Sequence, residues 1–156
     1  MQLRPLASAL LIATLSSTIL PGCTQLSNAT SEELIERAKD SQAKGDIKTS
    51  IIELKSAIQK DPNNPQARLM LGETYINTGM GAEAEKELKR AMELGVSAQS
   101  LMVPLARSLL LQREYKRLAD EIVPTPETTP ANRAKLLQLQ GEAQLGLGNF
   151  RSEERL

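Results

Sequence analysis

The sequence predicts an all-α fold of stacked, antiparallel helix pairs, and three observations lead to that prediction. Residues 53–57 (ELKSA) recur 34 positions later as residues 87–91 (ELKRA). Gly45 recurs at the same spacing as Gly79. The chain has 156 residues, of which 40% are hydrophobic but only 2% are aromatic, so aliphatic side chains must build the core. A period of this length indicates a repeated helical hairpin, since one unit alone cannot bury its apolar face.

The first repeat unit is predicted at residues 31–64. Thr30 and Glu33 form a capping box, which predicts a helix that runs to about Lys44. Gly45 suits the left-handed position after that helix, and Asp46 suits the N-cap of the next one. Arg37 stands where an apolar residue is usual, and in a first helix we expect it to face solvent. The second helix carries an apolar stripe at helical spacing: Ile47, Ile51, Leu54, Ala57 and Ile58.

The second unit, residues 65–98, has the clearest pattern. Residues 61–65 (DPNNP) end the preceding helix, with Asn64 as the next N-cap and Pro65 as the first helical residue. Gly72 and Ala84 are small, which predicts that the paired helices cross closely there. The remaining positions of the pattern carry packing or turn residues: Leu71, Tyr75, Gly79, Leu88 and Ala91.

Two further units follow at residues 99–133 and 134–156. In the third, Arg113 replaces the turn glycine, and residues 123–130 (VPTPETTP) form an irregular connection. The third unit's predicted stripes are Met102, Leu105, Ala106 and Leu109, then Tyr115, Leu118, Ala119 and Ile122. A fourth unit begins after Pro130, with Leu137, Gly141 and Gly148 in the expected positions and a helix-to-helix turn around Gly148. Its second helix is incomplete, so we interpret the sequence as the start of a longer array.

These residues resemble the tetratricopeptide repeat (TPR) family, including its L-G-x-x-Y core at residues 71–75. The resemblance implies a right-handed superhelix of about 3.5 repeats that binds proteins without catalysis. In this family, positions 2, 5, 9, 12 and 13 of each first helix line a concave groove. We therefore predict groove contacts at Ile35, Lys39, Gln42, Leu69, Glu73, Ile76, Asn77, Val103, Arg107 and Leu110. The alternative is that Ile76, Leu110 and Leu111 only pack against neighbouring helices.

The N-terminal segment reads as a lipoprotein signal peptide. Residues 6–20 carry no charge and follow Arg4. A helix of that length spans ~22 Å, less than the ~30 Å apolar core of a bilayer. Residues 20–23 (LPGC) resemble a lipobox, which implies a signal peptide at 1–22, lipidation of Cys23 and a tether at 23–30. Thr24 follows the cysteine where Asp would retain the protein in the inner membrane, so the resemblance to Gram-negative lipoproteins implies the periplasmic face of the outer membrane. The alternative is an ordinary secretory signal with an incidental cysteine.

Composition argues against catalysis, cofactors and nucleic acid. The chain has 19 basic and 19 acidic residues and no His, so it offers neither a basic patch nor the commonest general base. The charged run at residues 83–90 is interpreted as a solvated helix face with a Glu85–Lys89 pair. Residues 146–148 (GLG) lack the strand of a phosphate loop, and residues 61–64 lack the distal Glu of a calcium loop. We therefore predict no catalytic, metal, cofactor or small-molecule site.

The lipobox, residues 43–65 and residues 68–94 are together similar to a TPR lipoprotein of Gram-negative bacteria. That lipoprotein accompanies the PEP-CTERM/exosortase system and exopolysaccharide loci. The resemblance implies a lipid-anchored scaffold for envelope proteins in polysaccharide export or exosortase-linked sorting. Two alternatives remain: an outer-membrane pilotin or assembly factor for a pilus or secretion channel, and a truncated, non-functional remnant.

Overall fold

The computed structural model describes residues 28–153, with side chains to residue 148. Within that part of the chain the secondary structure is entirely helical, without strands, which confirms the predicted fold class. The helices are α1 (Ser31–Ala43), α2 (Ile47–Lys60), α3 (Pro65–Asn77), α4 (Gly81–Glu93), α5 (Ala98–Leu111), α6 (Tyr115–Glu121) and α7 (Pro130–Glu153). The signal segment and Cys23 lie outside the described residues.

The ends of α1 and α2 are set by the predicted local signals. The Thr30 hydroxyl accepts a hydrogen bond from the Glu33 N–H at 3.2 Å, and the Thr30 N–H donates to the Glu33 carboxylate at 3.1 Å. Gly45 has a φ of +76°, the left-handed conformation that ends α1. The Asp46 carboxylate then accepts from the Thr49 N–H at 3.0 Å, which caps α2. Each of these predictions is confirmed.

The α3–α4 hairpin has the predicted close crossing. Asn64 caps α3 by accepting from the Ala67 N–H at 3.0 Å, and its side-chain amide donates to Ser31 at 3.1 Å. The same residue therefore begins α3 and connects it to the start of α1. A Cβ atom on Gly72 would lie 2.8 Å from Leu88 Cγ, so the approach of the two helices requires glycine.

Successive hairpins share one continuous core. Helices α1 and α2 contact each other most extensively, as do α3 and α4, and the second helix of each pair also contacts the next hairpin. The first helices α3 and α5 touch, as do α5 and α7. Fully buried leucines run through the whole stack: Leu34, Leu54, Leu88, Leu101, Leu109, Leu118 and Leu136. This stacking is the sequential packing of a helical solenoid.

The third hairpin departs from the first two in its turn. Arg113 has a φ of +59°, so a non-glycine residue takes the left-handed conformation that Gly45 and Gly79 adopt at the same repeat position. Helix α5 contains Pro104, whose ring nitrogen cannot donate the hydrogen bond that other helical residues make. Helix α6 has only seven residues, and Thr128 in the following loop is buried.

The predicted turn at Gly148 is wrong, because α7 continues through that position as one helix from Pro130 to Glu153. The register also differs from the expected one. Gly141 is not at a close crossing: no atom lies within 4 Å of the place where its Cβ would be. Leu137 is 59% exposed, whereas Leu136 and Ala143 are buried. These two residues direct α7 towards the stack, and a helix tolerates an interior glycine at a cost of only ~1 kcal/mol.

Candidate ligand-binding groove

The first helices of successive units have equivalent positions at intervals of 34 residues. Lys39 of α1, Glu73 of α3 and Arg107 of α5 form one such series, and all three residues are exposed. Because α3 contacts α5 directly, their shared face forms a continuous surface. This surface, which we call the groove, is the one whose lining residues were predicted from the repeat pattern.

The predicted groove residues fall into three classes of accessibility. Exposed ones are Lys39, Glu73, Asn77 and Arg107, and partly buried ones are Gln42, Leu69, Val103 and Leu110. Ile35 and Ile76 are each only 5% exposed, so they pack within the stack, as the alternative interpretation held for Ile76. Leu111, assigned to packing by that same alternative, is instead 45% exposed. Ligand contact at the accessible positions remains a prediction.

Two carboxylates and two cations set the electrostatics of the groove. The Lys39 ammonium lies 2.6 Å from the Glu36 carboxylate, so its charge is paired within α1. Partial burial of its carboxyl group raises the pKa of Glu73, and the nearby Arg107 opposes that rise. Arg107 makes no direct ion pair with any described residue. Its charge nevertheless acts on the Glu73 carboxyl group, so these two residues form a mixed-charge part of the surface.

Gln42 has a structural contact that the repeat pattern did not indicate. Its side-chain amide donates to the Thr74 hydroxyl at 2.8 Å, and that hydroxyl donates to the Met70 carbonyl at 2.6 Å. The bonds join α1 to α3 beside the groove. Gln42 thus holds two units together in addition to contributing to the surface.

The charged run on α4 is more buried than predicted. The Glu85–Lys89 pair is present at 2.7 Å, but Glu85 also accepts from Arg117 of α6 at 2.5 Å and from Gln112 at 2.9 Å. Hydrogen bonding to Arg117, outweighing the effect of burial, lowers the pKa of Glu85 to about 2. The prediction of a solvated face is wrong here, because this carboxylate connects three helices. No sequence signal indicated Arg117 as its partner.

Two further carboxylates on second helices are paired in the same manner. Glu87 lies 2.6 Å from Arg68 of α3, whose guanidinium also donates to the Pro62 carbonyl. Arg37 was predicted to face solvent, and it is partly exposed, but its Nε lies 3.3 Å from the buried Glu53 carboxylate. These pairs stabilise hairpins and lie apart from the predicted groove positions.

Comparison with protein families agrees with this architecture. Residues 42–102 match the model of the tetratricopeptide repeat. The match supports a TPR protein. It covers the second helix of the first unit, the whole α3–α4 hairpin and the start of α5. No curated protein matches the chain.

Two features that would bear on function are absent from the described residues. None of the helices there is both long and apolar enough to cross a bilayer. Within the same residues, no three His, Cys, Asp or Glu side chains are grouped as metal ligands would be.

Proposed function

We propose that this chain is a non-enzymatic, protein-binding scaffold, anchored through lipid on Cys23 to the periplasmic face of the outer membrane. TPR repeats in general support a protein–protein interaction role. The observation that carries the proposal is the groove, in which the stacked first helices α3 and α5 expose Glu73, Asn77 and Arg107. An extended or helical segment of a partner fits such a surface.

The biological setting follows from the sequence resemblance. The lipobox and the two hairpin segments support a scaffold that recruits partners of exopolysaccharide export or PEP-CTERM sorting. A continuous core with fully buried leucines supports a folded module over a non-functional remnant. The pilotin alternative requires a channel subunit as the partner, and the identity of the captured protein distinguishes it.

Membrane anchoring is tested by Cys23→Ser in intact cells. We expect the wild type to incorporate labelled palmitate and to fractionate with membranes, and the variant to do neither, since each buried CH₂ of an acyl chain contributes ~0.8 kcal/mol to anchoring. Thr24→Ala is the matched control and should behave as wild type. Absence of label from the wild type would contradict the lipid anchor.

Partner binding is tested by photo-crosslinking from the groove. A benzoylphenylalanine in place of Glu73 reports on the groove, and one in place of Gln59, exposed on α2, is the control. We expect adducts from position 73 alone, containing an envelope protein of polysaccharide export. Adducts with a secretin subunit would favour the pilotin role. Equal adducts from both positions would argue against groove binding.

A further inference from the structure

The two helices of the third hairpin pack mainly on their outer neighbours. In the first two hairpins, the paired helices contact each other more extensively than they contact any other helix. In the third, α5 contacts α4 more extensively than it contacts α6, and α6 contacts α7 more extensively than it contacts α5. Helix α6 has only 7 residues, whereas α2 has 14, so α6 covers less of its partner. A packing boundary therefore falls inside this hairpin.

Close contacts on either side of that boundary agree with this division. A Cβ atom on Gly81 of α4 would lie 2.7 Å from the Ser108 carbonyl oxygen of α5, so these two helices cross closely. A Cβ atom on Gly146 of α7 would overlap the Tyr115 ring of α6. In the second hairpin the glycine at the close crossing, Gly72, lies within the hairpin instead. Glycine thus permits close approach of α5 to α4 and of α6 to α7.

Helices α6 and α7 are further joined by hydrogen bonds and by buried leucines. The Gln140 side-chain amide of α7 donates to the Ile122 carbonyl at the end of α6 at 2.9 Å. The Arg133 guanidinium of α7 donates to the Thr125 carbonyl of the intervening loop at 2.8 Å. The fully buried leucines of the pair are Leu118 and Leu136. The two helices and their loop therefore form one packed pair.

The turn between α5 and α6 is strained, and side chains outside the turn hold it closed. Arg113 has a φ of +59°, a conformation that costs a non-glycine residue free energy. Arg117 of α6 pairs with Glu85 of α4, and the Gln99 amide of α5 donates to the Thr125 hydroxyl at 2.8 Å. Helix α7 also contacts α5. These links are what an opening at the turn would have to break.

We infer that α6 and α7 open together from the rest of the solenoid, about a hinge at residues 113–114, while α5 stays packed on α4. This opening releases the strain at Arg113 and keeps the contact of Tyr115 with Gly146. Units that few buried contacts hold in place open at a lower free energy than the whole protein. The predicted groove residues of the third unit lie on α5, so the groove retains them in the open state.

Native-state hydrogen exchange of the full chain, resolved by mass spectrometry at low urea concentrations, tests the hinge. We expect the amides of α6 and α7 to share one opening constant, at least about tenfold larger than the constant for α3, α4 and α5. Helix α5 is the deciding element, because it would exchange together with α6 if the third hairpin opened as a repeat unit.

A variant of the polar link to α4 tests what holds the pair closed. Arg117→Gln removes the ion pair to Glu85, which keeps Lys89 as a partner. We expect the opening constant of α6 and α7 to rise by about fivefold, with exchange of α3 and α4 unchanged, because a partly exposed ion pair stabilises only weakly. Glu93→Gln is the matched control: it removes the exposed pair with Arg90 within α4 and should change neither constant.

A second variant tests the position of the hinge. Arg113→Gly relieves the strain of the closed turn and should lower the opening constant of α6 and α7; an unchanged constant would place the hinge elsewhere. Equal opening constants for α5 and α6 would show that the hairpin opens intact. Exchange of α7 ahead of α6 would show fraying of the last helix alone, and one constant for all helices would show global unfolding only. Each of these results would overturn the inference and leave the scaffold function untouched.

Discussion

The close approach of α3 and α4 at Gly72 gives the sharpest test of the repeat packing. In Gly72→Ala the new methyl carbon would lie 2.8 Å from Leu88 Cγ and 2.9 Å from Leu88 Cδ2, where ordinary carbon contacts are about 3.5–4.0 Å. Leu88 is fully buried, so it cannot move into solvent to relieve the contact. Overpacking of this kind costs ~1–3 kcal/mol.

A second effect acts in the opposite direction. Alanine is more favourable than glycine inside a helix by ~1 kcal/mol, and Gly72→Ala gains this free energy as well. We expect the contact with Leu88 to outweigh this gain, so the variant loses about 1 kcal/mol of unfolding free energy. Gly141→Ala is the matched control: it gains the helical preference without any new contact, and we expect it to be more stable by ~0.5–1 kcal/mol.

Urea denaturation of the full chain, followed by circular dichroism at 222 nm, measures both changes. The assignment to Leu88 is checked by repeating Gly72→Ala in a Leu88→Ala background, where removal of the opposing side chain should make the alanine at position 72 stabilising. If Gly72→Ala is as stable as Gly141→Ala in the otherwise unchanged chain, the proposed steric limit at this crossing is refuted. In that case Gly72→Leu should also be tolerated. If the steric limit holds, we expect Gly72→Leu to be less stable than Gly72→Ala.

Three other substitutions have defined expected outcomes. The pKa of Glu85 is about 2 against an ordinary 4.5, so its contribution to stability is present above pH 4.5 and is lost as the pH falls towards about 2. Glu85→Gln should therefore flatten that acid dependence in denaturation measurements. Arg113→Gly should raise the melting temperature, because a non-glycine residue at positive φ costs ~1–2 kcal/mol, and Gly79→Arg should lower it. The buried Ser50 hydroxyl has no hydrogen-bond partner among the described residues. Ser50→Ala should therefore stabilise the chain by ~1 kcal/mol in the same assay. A loss of stability would indicate a partner for that hydroxyl.

Local signals were sufficient to predict most of the hairpins. Thr30 and Glu33 satisfy each other's backbone groups within one turn, and Gly45 adopts a conformation that few other residues tolerate. The DPNNP segment likewise contains both the stop of α2 and the cap of α3. Such features depend on residues within a few positions of one another, so the sequence contains everything that determines them.

Long-range features were not predictable in the same way. The interaction of Glu85 with Arg117 joins side chains 32 positions apart, an interval that the repeat does not supply. The course of α7 depends on which of its faces meets α5 and α6, and a glycine at position 148 was a weaker determinant than the burial of Leu136 and Ala143. A turn glycine can end a helix only where packing favours a returning chain.

The repeat also explains why the fold was easier to predict than the ligand. Equivalent positions in the core keep their chemistry from unit to unit: Ala38, Gly72 and Ala106 are all small, and Leu54, Leu88 and Ile122 are all aliphatic and buried. Positions facing the groove do not, since Lys39, Glu73 and Arg107 share one place in the series. Packing imposes the same requirement on every hairpin, so its pattern repeats and can be recognised. Each unit contacts a different part of a bound ligand, so the residues that bind the ligand need not repeat from unit to unit. Such residues must be found from exposure, charge and contacts in the folded array.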